Sequence, residues 1–231
     1  MEKADISEER KIVDGIVGAA LSKVEEKYGT GKGDGILPKK YHNRPHSEEV
    51  LDAARKIAER FLKEGKISEK DIPLVEIAAS FHDIEQDLGA GQNEIESARL
   101  AEEAMREAGI FSEEDIVKVR DMILVTIVSF EGGVMRQSAV EEYLTRIIAD
   151  ADLSSLGKSF EQYWERALAL LQEIQGTDIP SKEAETAFTE RQVGLLTNHR
   201  FYTEEAEVLF PNQKENLEES KRRLGLLTQQ C

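Results

Sequence analysis

The stretch DIPLVEIAASFHD, residues 71–83, decides the fold class of this chain. Its body, Leu74 to Phe81, carries a single charged residue, Glu76, and is apolar on nearly all sides of a helix. A helix with this pattern lies at the centre of a protein, with other helices packed around it. The stretch ends on His82 and Asp83, and burial of an imidazole and a carboxylate without partners is costly. The pattern therefore predicts a central helix that ends at an internal polar site.

Helical patterns extend from this stretch towards both ends of the chain. Apolar residues recur three and four positions apart, which is typical of helices with one buried face. The patterns predict further helices at about 7–28, 45–63, 93–108, 113–130, 138–156, 159–175, 183–199 and 204–226. The one β-branched run, Ile123 to Val128, has a length that fits a buried helix, and alternating strand patterns are not evident.

These patterns predict an all-α fold in a single domain, residues 1–231, with roughly eight or nine helices. The functional motifs lie within residues 41–157, and the helices of residues 158–231 are expected to pack on that part. The chain contains 16 Gly and 5 Pro, which is low for an all-β protein with many tight turns. No internal repeat or low-complexity segment suggests a second unit.

Charge and composition limit the partners of the protein. The chain has 46 acidic and 30 basic residues, so its formal net charge is −16. This balance argues against a protein that neutralises nucleic-acid phosphates and against a polybasic membrane-surface module. No apolar run approaches the roughly 20 residues of a membrane span, the N-terminus lacks an apolar signal segment, and the only cysteine is Cys231. We expect a cytoplasmic protein without nucleic acid or membrane as partner, and formation of a homo-oligomer is left open.

Histidines and acids near helix ends have the types that metal ions prefer. Three of the four histidines fall in two short segments, Tyr41 to His46 and Phe81 to Asp83. His46 lies just inside a predicted helix, and His82 with Asp83 ends another. Two nitrogen donors and a carboxylate are a plausible start to a site for a first-row metal ion.

Helical periodicity predicts a fourth ligand in the helix at about 138–156. Asp152 lies on an otherwise apolar row, whose members are Leu144, Ile148, Asp152 and Leu156. Asp150 lies on a polar row with Arg146, so it is interpreted as a supporting or salt-bridged residue. The resulting set is His46, His82, Asp83 and Asp152. It suits Mn, Fe, Zn, Ni or Mg, and the ligand types do not choose among these divalent ions.

Four short segments of the chain follow a known motif pattern. They are Tyr41-His42-Asn43…His46, Phe81-His82-Asp83-Ile84, Asn93-Glu94…Ser97-Ala98 and Asp150-Ala151-Asp152-Leu153…Leu156-Gly157. With these segments the chain resembles the HD-domain superfamily of metal-dependent phosphohydrolases, in its small stand-alone branch, over about residues 10–160. The resemblance implies an HD-domain-like helical bundle whose metal ion is held by His46, His82, Asp83 and Asp152. It also implies that His42 and Asp83 are catalytic, with His42 as the proton donor to the leaving oxygen.

The chain departs from this family pattern at two positions. Members of the branch often have a histidine where this chain has Ser129, and they usually have a tyrosine where it has Gln86. The first departure argues against an imidazole-rich second metal site. It leaves room for a second ion that is bridged through Asp83 and held mostly by water.

The resemblance implies hydrolysis of a small phosphorylated substrate, with nucleotide-like esters among the candidates. A divalent ion activates water and polarises a phosphoryl oxygen in such reactions. Candidate substrate-binding residues near the motifs are Lys39, Arg44, Asn93, Glu94 and Arg99. Asn93 and Glu94 also fit the capped start of a helix, and His42 also fits a structural role. The alternative function is a metal-binding regulatory or interaction module without turnover.

Overall fold

The computed structural model describes residues 2–29, 38–131, 134–137 and 142–229 of the chain. The α-helices in these residues are α1 (Glu2–Tyr28), α2 (Arg44–Lys63), α3 (Asp71–Phe81), α4 (Gln92–Ala108), α5 (Glu113–Leu124), α6 (Tyr143–Asp152), α7 (Phe160–Gln175), α8 (Lys182–Asn198), α9 (Glu204–Leu209) and α10 (Gln213–Gln229). A 3-10 helix, Ser154–Gly157, follows α6, and β1 (Val128–Glu131) and β2 (Val134–Gln137) lie between α5 and α6. The predicted all-α fold class is confirmed.

Helix α3 occupies the centre of the molecule, as its apolar sequence predicts. Every residue from Leu74 to Phe81 is buried, and α3 packs against α1, α2, α4, α5 and α6. The carboxylate of Glu76 accepts hydrogen bonds from Arg10 of α1 at 2.6 Å and from Arg55 of α2 at 2.7 Å. These two partners compensate the buried charge, which would otherwise be very costly. The end of α3 therefore lies inside the bundle.

The segment after α5 differs from its prediction as a continuous helix at 113–130. Helix α5 ends at Leu124, and β1 pairs with β2 in an antiparallel hairpin in which Val128 lies opposite Gln137. All four residues from Val125 to Val128 are β-branched, and such residues favour strands over helices. In the predicted helix at 138–156, α6 covers Tyr143–Asp152 after the extended N-cap Glu142, and residues 138–141 lie outside the described part of the chain.

The last predicted helix, at 204–226, is divided into α9 and α10. Pro211 lies between the two helices. Proline has no backbone N–H and its ring clashes with the preceding turn, so it breaks a helix interior. This break accounts for the tenth helix, beyond the eight or nine that were predicted.

The buried apolar side chains form two main clusters. Helices α1 to α6 share the larger one, with contributions from Phe201, Ala206 and Phe210. The smaller cluster belongs to the 3-10 helix, α7 and α8, and its buried members are Leu156, Tyr163, Trp164, Ala167, Leu171, Phe188 and Leu196. An ion pair at 2.5 Å between Lys66, which is exposed, and Glu205, which is buried, connects α9 to the loop after α2. None of the helices in the described ranges is both long and apolar enough to cross a membrane.

Candidate metal centre

Helices α2, α3 and α6 bring together the four residues that were predicted as metal ligands. The Nε2 atoms of His46 and His82 lie 3.2 and 3.1 Å from Oδ2 of Asp83. Oδ1 of Asp152 lies 3.6 and 3.7 Å from the same two nitrogens. His46, His82 and Asp83 are buried and form a group that could hold a metal ion.

Local capping interactions position both imidazoles. Asn43 is the N-cap of α2, and its side-chain oxygen accepts a hydrogen bond from the backbone N–H of His46, which fixes the first turn. At the end of α3, Nδ1 of His82 donates to the carbonyl oxygen of Ala79 at 2.8 Å. A carbonyl can only accept, so Nδ1 of His82 carries a proton and Nε2 is the nitrogen that is left to bind a metal ion.

The two Nε2 atoms lack the hydrogen bonds that their burial demands. Both are buried, and neither has a hydrogen-bond partner in the part of the chain that the structure describes. The oxygen of Asp83 lies within contact distance of each nitrogen but without hydrogen-bond geometry. Lone pairs that converge on one point beside ionised oxygens fit a bound cation, which would satisfy all of these atoms at once.

The electrostatics of the cluster keep Asp83 ionised. Burial lowers the pKa of His46, but Asp152 and Asp83 outweigh this effect and raise it to about 9. Burial favours the neutral form of Asp83, yet the charges and contacts of His82 and His46 hold its pKa well below its usual range. Two carboxylates in one buried site need compensating positive charge, and a divalent ion would supply it in place of the two imidazole protons.

Asp150 and Asp152 have different environments although both belong to α6. Asp150 is fully buried, and its carboxylate accepts hydrogen bonds from the backbone N–H groups of Tyr202 and Thr203 and from the Thr203 hydroxyl. Burial raises the pKa of Asp150 to about 6 in spite of these bonds. Of the two roles predicted for Asp150, a salt bridge is not observed within the described residues, and the role as a supporting residue stays a prediction. Through these hydrogen bonds Asp150 joins α6 to the start of α9. Its environment differs from that of Asp152 because side chains two positions apart on a helix point in different directions.

Glu173 of α7 binds His42, and sequence reasoning missed this contact. Nδ1 of His42 lies 2.6 Å from Oε1 of Glu173, and the backbone N–H groups of Tyr41 and His42 donate to Oε2. Burial would raise the pKa of Glu173, but His42 outweighs it and lowers the pKa to about 2. The rings of His42 and His46 are 6.1 Å apart. Because 131 residues separate His42 from Glu173, no local pattern could reveal the pair.

A short network of side chains holds the second oxygen of Asp83. Nε2 of Gln86 donates to Oδ1 of Asp83 at 2.8 Å, and Oε1 of Gln86 accepts from Nδ2 of Asn93 at 3.4 Å. Glu94 accepts a hydrogen bond from the backbone N–H of Gly91 at the start of α4. Burial raises the pKa of Glu94, and the charges of Asp83 and Asp152 act in the same direction. Asn93 and Glu94 therefore lie at the start of α4 and also near the candidate metal centre.

The basic residues that were predicted to bind substrate are held by other groups. Nζ of Lys39 donates to the carbonyl oxygen of Gln86 at 2.9 Å. Arg44 pairs with Glu48 at 2.7 Å in the first turns of α2. Arg99 is exposed on α4, where it pairs with Glu96 and Glu103. Their contact with a substrate stays a prediction, and the side chain of Ser129 lies outside the described part of the structure.

A cavity of about 460 Å³ lies next to the pair of His42 and Glu173. Its wall consists of Pro38, Lys39, Lys40, Gln172, Glu173, Gly176, Thr177 and Asp178. None of the four metal-ligand candidates lines this cavity. It therefore borders Glu173, the partner of His42, and not the candidate metal ligands.

Comparison of the chain with protein-family models and with curated proteins gives no match. The chemistry of the centre rests on its own side chains. Two buried imidazoles and a buried carboxylate converge, with a second carboxylate within 4 Å and a histidine-glutamate pair beside them. Such a set can bind a cation and can supply a proton close to it.

Proposed function

We propose that the protein is a metal-dependent phosphohydrolase of the HD-domain type, which cleaves a small phosphate ester. The observation that carries this proposal is the pair of buried Nε2 atoms of His46 and His82, which lack hydrogen-bond partners among the described residues and face the carboxylates of Asp83 and Asp152. A bound divalent cation accounts for all four groups. In a helical scaffold without metal, these buried polar and charged groups would lack a partner that compensates the energetic cost of their burial.

His46, His82, Asp83 and Asp152 would hold the ion. Two imidazoles and two carboxylates suit Mn, Fe, Zn, Ni or Mg and leave open positions for water and substrate. When bound, such an ion supplies an activated water molecule and polarises a phosphoryl oxygen. Gln86 keeps Asp83 in place, because its amide binds the carboxylate oxygen that does not face the histidines.

His42 is the proposed proton donor to the leaving oxygen. Its Nδ1 is bound to Glu173, so Nε2 is the nitrogen that is left for a substrate. About a quarter of the His42 side chain is exposed (25%), which makes it accessible from the solvent. Glu173 orients the imidazole through its contact with Nδ1, as carboxylates do for catalytic histidines in general.

Metal loading followed by a substrate screen tests this function. The metal-free chain is incubated with Mn, Zn, Fe, Ni or Mg, its metal content is measured, and phosphorylated metabolites are screened for released phosphate. We expect about one tightly bound ion per chain and turnover of at least one ester. Asp83→Asn should lose the ion and the activity together, whereas Asp52→Asn, an exposed carboxylate on α2, should keep both.

Two outcomes would count against the proposal. If no ion binds at the centre, the metal-dependent function is wrong. If the ion binds but no phosphorylated compound is hydrolysed, the protein is better described as a metal-binding regulatory or interaction module.

A further inference from the structure

A second group of charged residues lies next to the proposed metal ligands. Glu49 follows His46 by three positions on α2, so the two side chains project from the same side of the helix. Both carboxylate oxygens of Glu49 accept hydrogen bonds from Nε of Arg166, at 3.0 and 3.1 Å, and Nη2 of Arg166 also contacts it. Nζ of Lys158 lies 3.3 Å from the same carboxylate.

Chain connections keep this group close to the centre. Lys158 comes directly after the 3-10 helix that follows Asp152. The side-chain amide of Asn216 donates to the carbonyl oxygens of Leu156 and Lys158, both at 2.9 Å, which holds the backbone here. The segment from Asp152 to Lys158 is therefore short and fixed at both ends.

Tyr41 connects the candidate metal centre with α7. Its ring packs on the ring of His46, with the centroids 4.5 Å apart. Its backbone N–H donates to Oε2 of Glu173 at 2.8 Å, and Glu173 and Arg166 belong to the same helix, α7. The helix that carries Arg166 is therefore held next to His46.

The group carries an excess of positive charge that a ligand can reach. Two cations share the single carboxylate of Glu49, and the Lys158 and Arg166 side chains each remain 21% exposed. Arg166 uses Nε and Nη2 for Glu49, which leaves Nη1 for another acceptor. The planar guanidinium matches the geometry of phosphate oxygens, and a chain with a net charge of −16 needs such local cations to attract an anionic substrate.

We propose that Lys158 and Arg166 bind the phosphoryl oxygens of the substrate at the edge of the metal centre, and that Glu49 holds the two cations in place while no substrate is bound. This inference rests on the proposed function and defines the substrate further. It requires a compact phosphate group that contacts the ion and the two cations together. These cations differ from Lys39, Arg44 and Arg99, which lie near the motifs in sequence.

Binding of inorganic phosphate tests this subsite without any turnover. Calorimetric titrations with phosphate are carried out on the Mn-loaded parent and on Arg166→Met and Lys158→Met. We expect each variant to weaken phosphate binding about tenfold or more, as removal of a charged hydrogen-bond partner does. Arg223→Met is the matched control, because Arg223 also contacts one glutamate, Glu185, through Nε and Nη2 but belongs to α10. It should bind phosphate like the parent.

Glu49→Gln distinguishes a binding subsite from an ion pair that only stabilises the fold. Removal of the competing carboxylate frees both cations, so phosphate should bind several-fold more tightly. A purely structural ion pair would instead give lower stability in urea and no gain in affinity. If Arg166→Met does not fold, Lys158→Met and Glu49→Gln provide the test.

Parallel assays separate this proposal from the proposed function. Equal phosphate affinity in the parent, Arg166→Met and Lys158→Met would overturn the subsite, even if hydrolysis is found. Phosphate binding that depends on Arg166 in a chain that hydrolyses nothing would support the subsite and refute the phosphohydrolase. A KM that rises in Arg166→Met while its metal content stays unchanged would support both.

Discussion

His82 donates its Nδ1 proton to the carbonyl oxygen of Ala79, and His42 places its Nδ1 against Glu173. The same arrangement therefore occurs twice around the candidate metal centre: an acceptor holds Nδ1 of the ring, and Nε2 is left for a metal ion or a substrate. The type of acceptor determines which of these roles each ring suits. The carbonyl of Ala79 leaves Nε2 of His82 for the proposed metal ion, whereas Glu173 presents a carboxylate to the proposed proton donor.

The two aspartates of α6 should respond in opposite ways to the same substitution. Asp152→Asn removes a charged ligand and should weaken metal binding tenfold or more, with little loss of stability in the metal-free chain. Asp150→Asn replaces one acceptor oxygen by an amide NH2 group that faces the backbone N–H of either Tyr202 or Thr203, so it should destabilise the fold by about 1–3 kcal/mol and keep the ion. Metal titrations and urea unfolding measure the two effects. Loss of the ion in Asp150→Asn alone would contradict the ligand assignment.

Removal of His42 or its partner should slow the reaction in a way that depends on the leaving group. His42→Ala should keep the metal and lower kcat by about 10²–10⁴-fold for an ester with a poor leaving group. Glu173→Gln should show the same dependence with a smaller factor, because the amide oxygen still accepts from the two backbone N–H groups, but the carboxylate that contacts Nδ1 of His42 is lost. Nitrophenyl esters need no proton on leaving and should be affected much less. Equal losses for both kinds of ester would exclude proton donation by His42.

At the scale of whole elements, the sequence predicts helices well wherever one strong signal dominates. The apolar run from Leu74 to Phe81 has no competing signal, and α3 forms there as expected. The predictions at 113–130 and 204–226 ignored local signals that oppose a helix, namely the β-branched residues before β1 and Pro211. Both errors concern where helices end, which depends on a few residues and not on the overall pattern.

The 3-10 helix after α6 contains a glycine that the packing requires. A Cβ atom at Gly157 would overlap the backbone carbonyl of Phe210, and the backbones cannot easily separate because Asn212 N–H donates to the Gly157 carbonyl at 3.1 Å. Gly157→Ala should therefore lower the free energy of unfolding by at least about 2 kcal/mol. Gly194→Ala is the control, since open space surrounds that position inside α8, and it should stabilise by about 0.5–1 kcal/mol. Urea unfolding of both variants checks this, and a similar change in both would refute the packing argument.

At the scale of the molecule, the centre lies where the two apolar clusters meet. The candidate metal ligands belong to α2, α3 and α6, which contribute to the larger cluster. Glu173 and Arg166 belong to α7, whose apolar face lies in the smaller one. The contacts of Glu173 with His42 and of Arg166 with Glu49 therefore join the two parts at the functional residues.

This arrangement explains which site residues the sequence could reveal. The candidate ligands lie in short motifs, and Asp152 breaks an apolar row, so their residue types alone identify them as candidates. Glu173, Lys158 and Arg166 resemble many other charged residues on helix surfaces. Their positions near the candidate metal centre depend on side-chain contacts with His42 and Glu49, which are more than 100 residues away, and such long-range contacts leave no periodic signal in the chain.

Acid should destabilise the whole molecule through His199, which follows α8. His199 is buried, its Nε2 has no hydrogen-bond partner among the described residues, and its ring packs on Phe201. Burial and the neighbouring charge of Arg200 lower its pKa to about 4. In the unfolded chain the pKa is about 6.5, so between these values the unfolded state binds more protons and stability falls as the pH falls.

The expected loss from this one group is about 2 kcal/mol between pH 7 and pH 5. His199→Asn removes the titrating ring. Between pH 7 and pH 5 the free energy of unfolding of this variant should therefore fall by about 2 kcal/mol less than that of the parent. Urea unfolding of the parent and the variant at both pH values gives the comparison, and other titrating groups cancel because the two chains share them. If the free energies of unfolding of the parent and the variant change in parallel with pH, His199 does not stay neutral in the folded protein. A buried ring that takes up a proton as readily as in the unfolded chain would not make stability depend on pH.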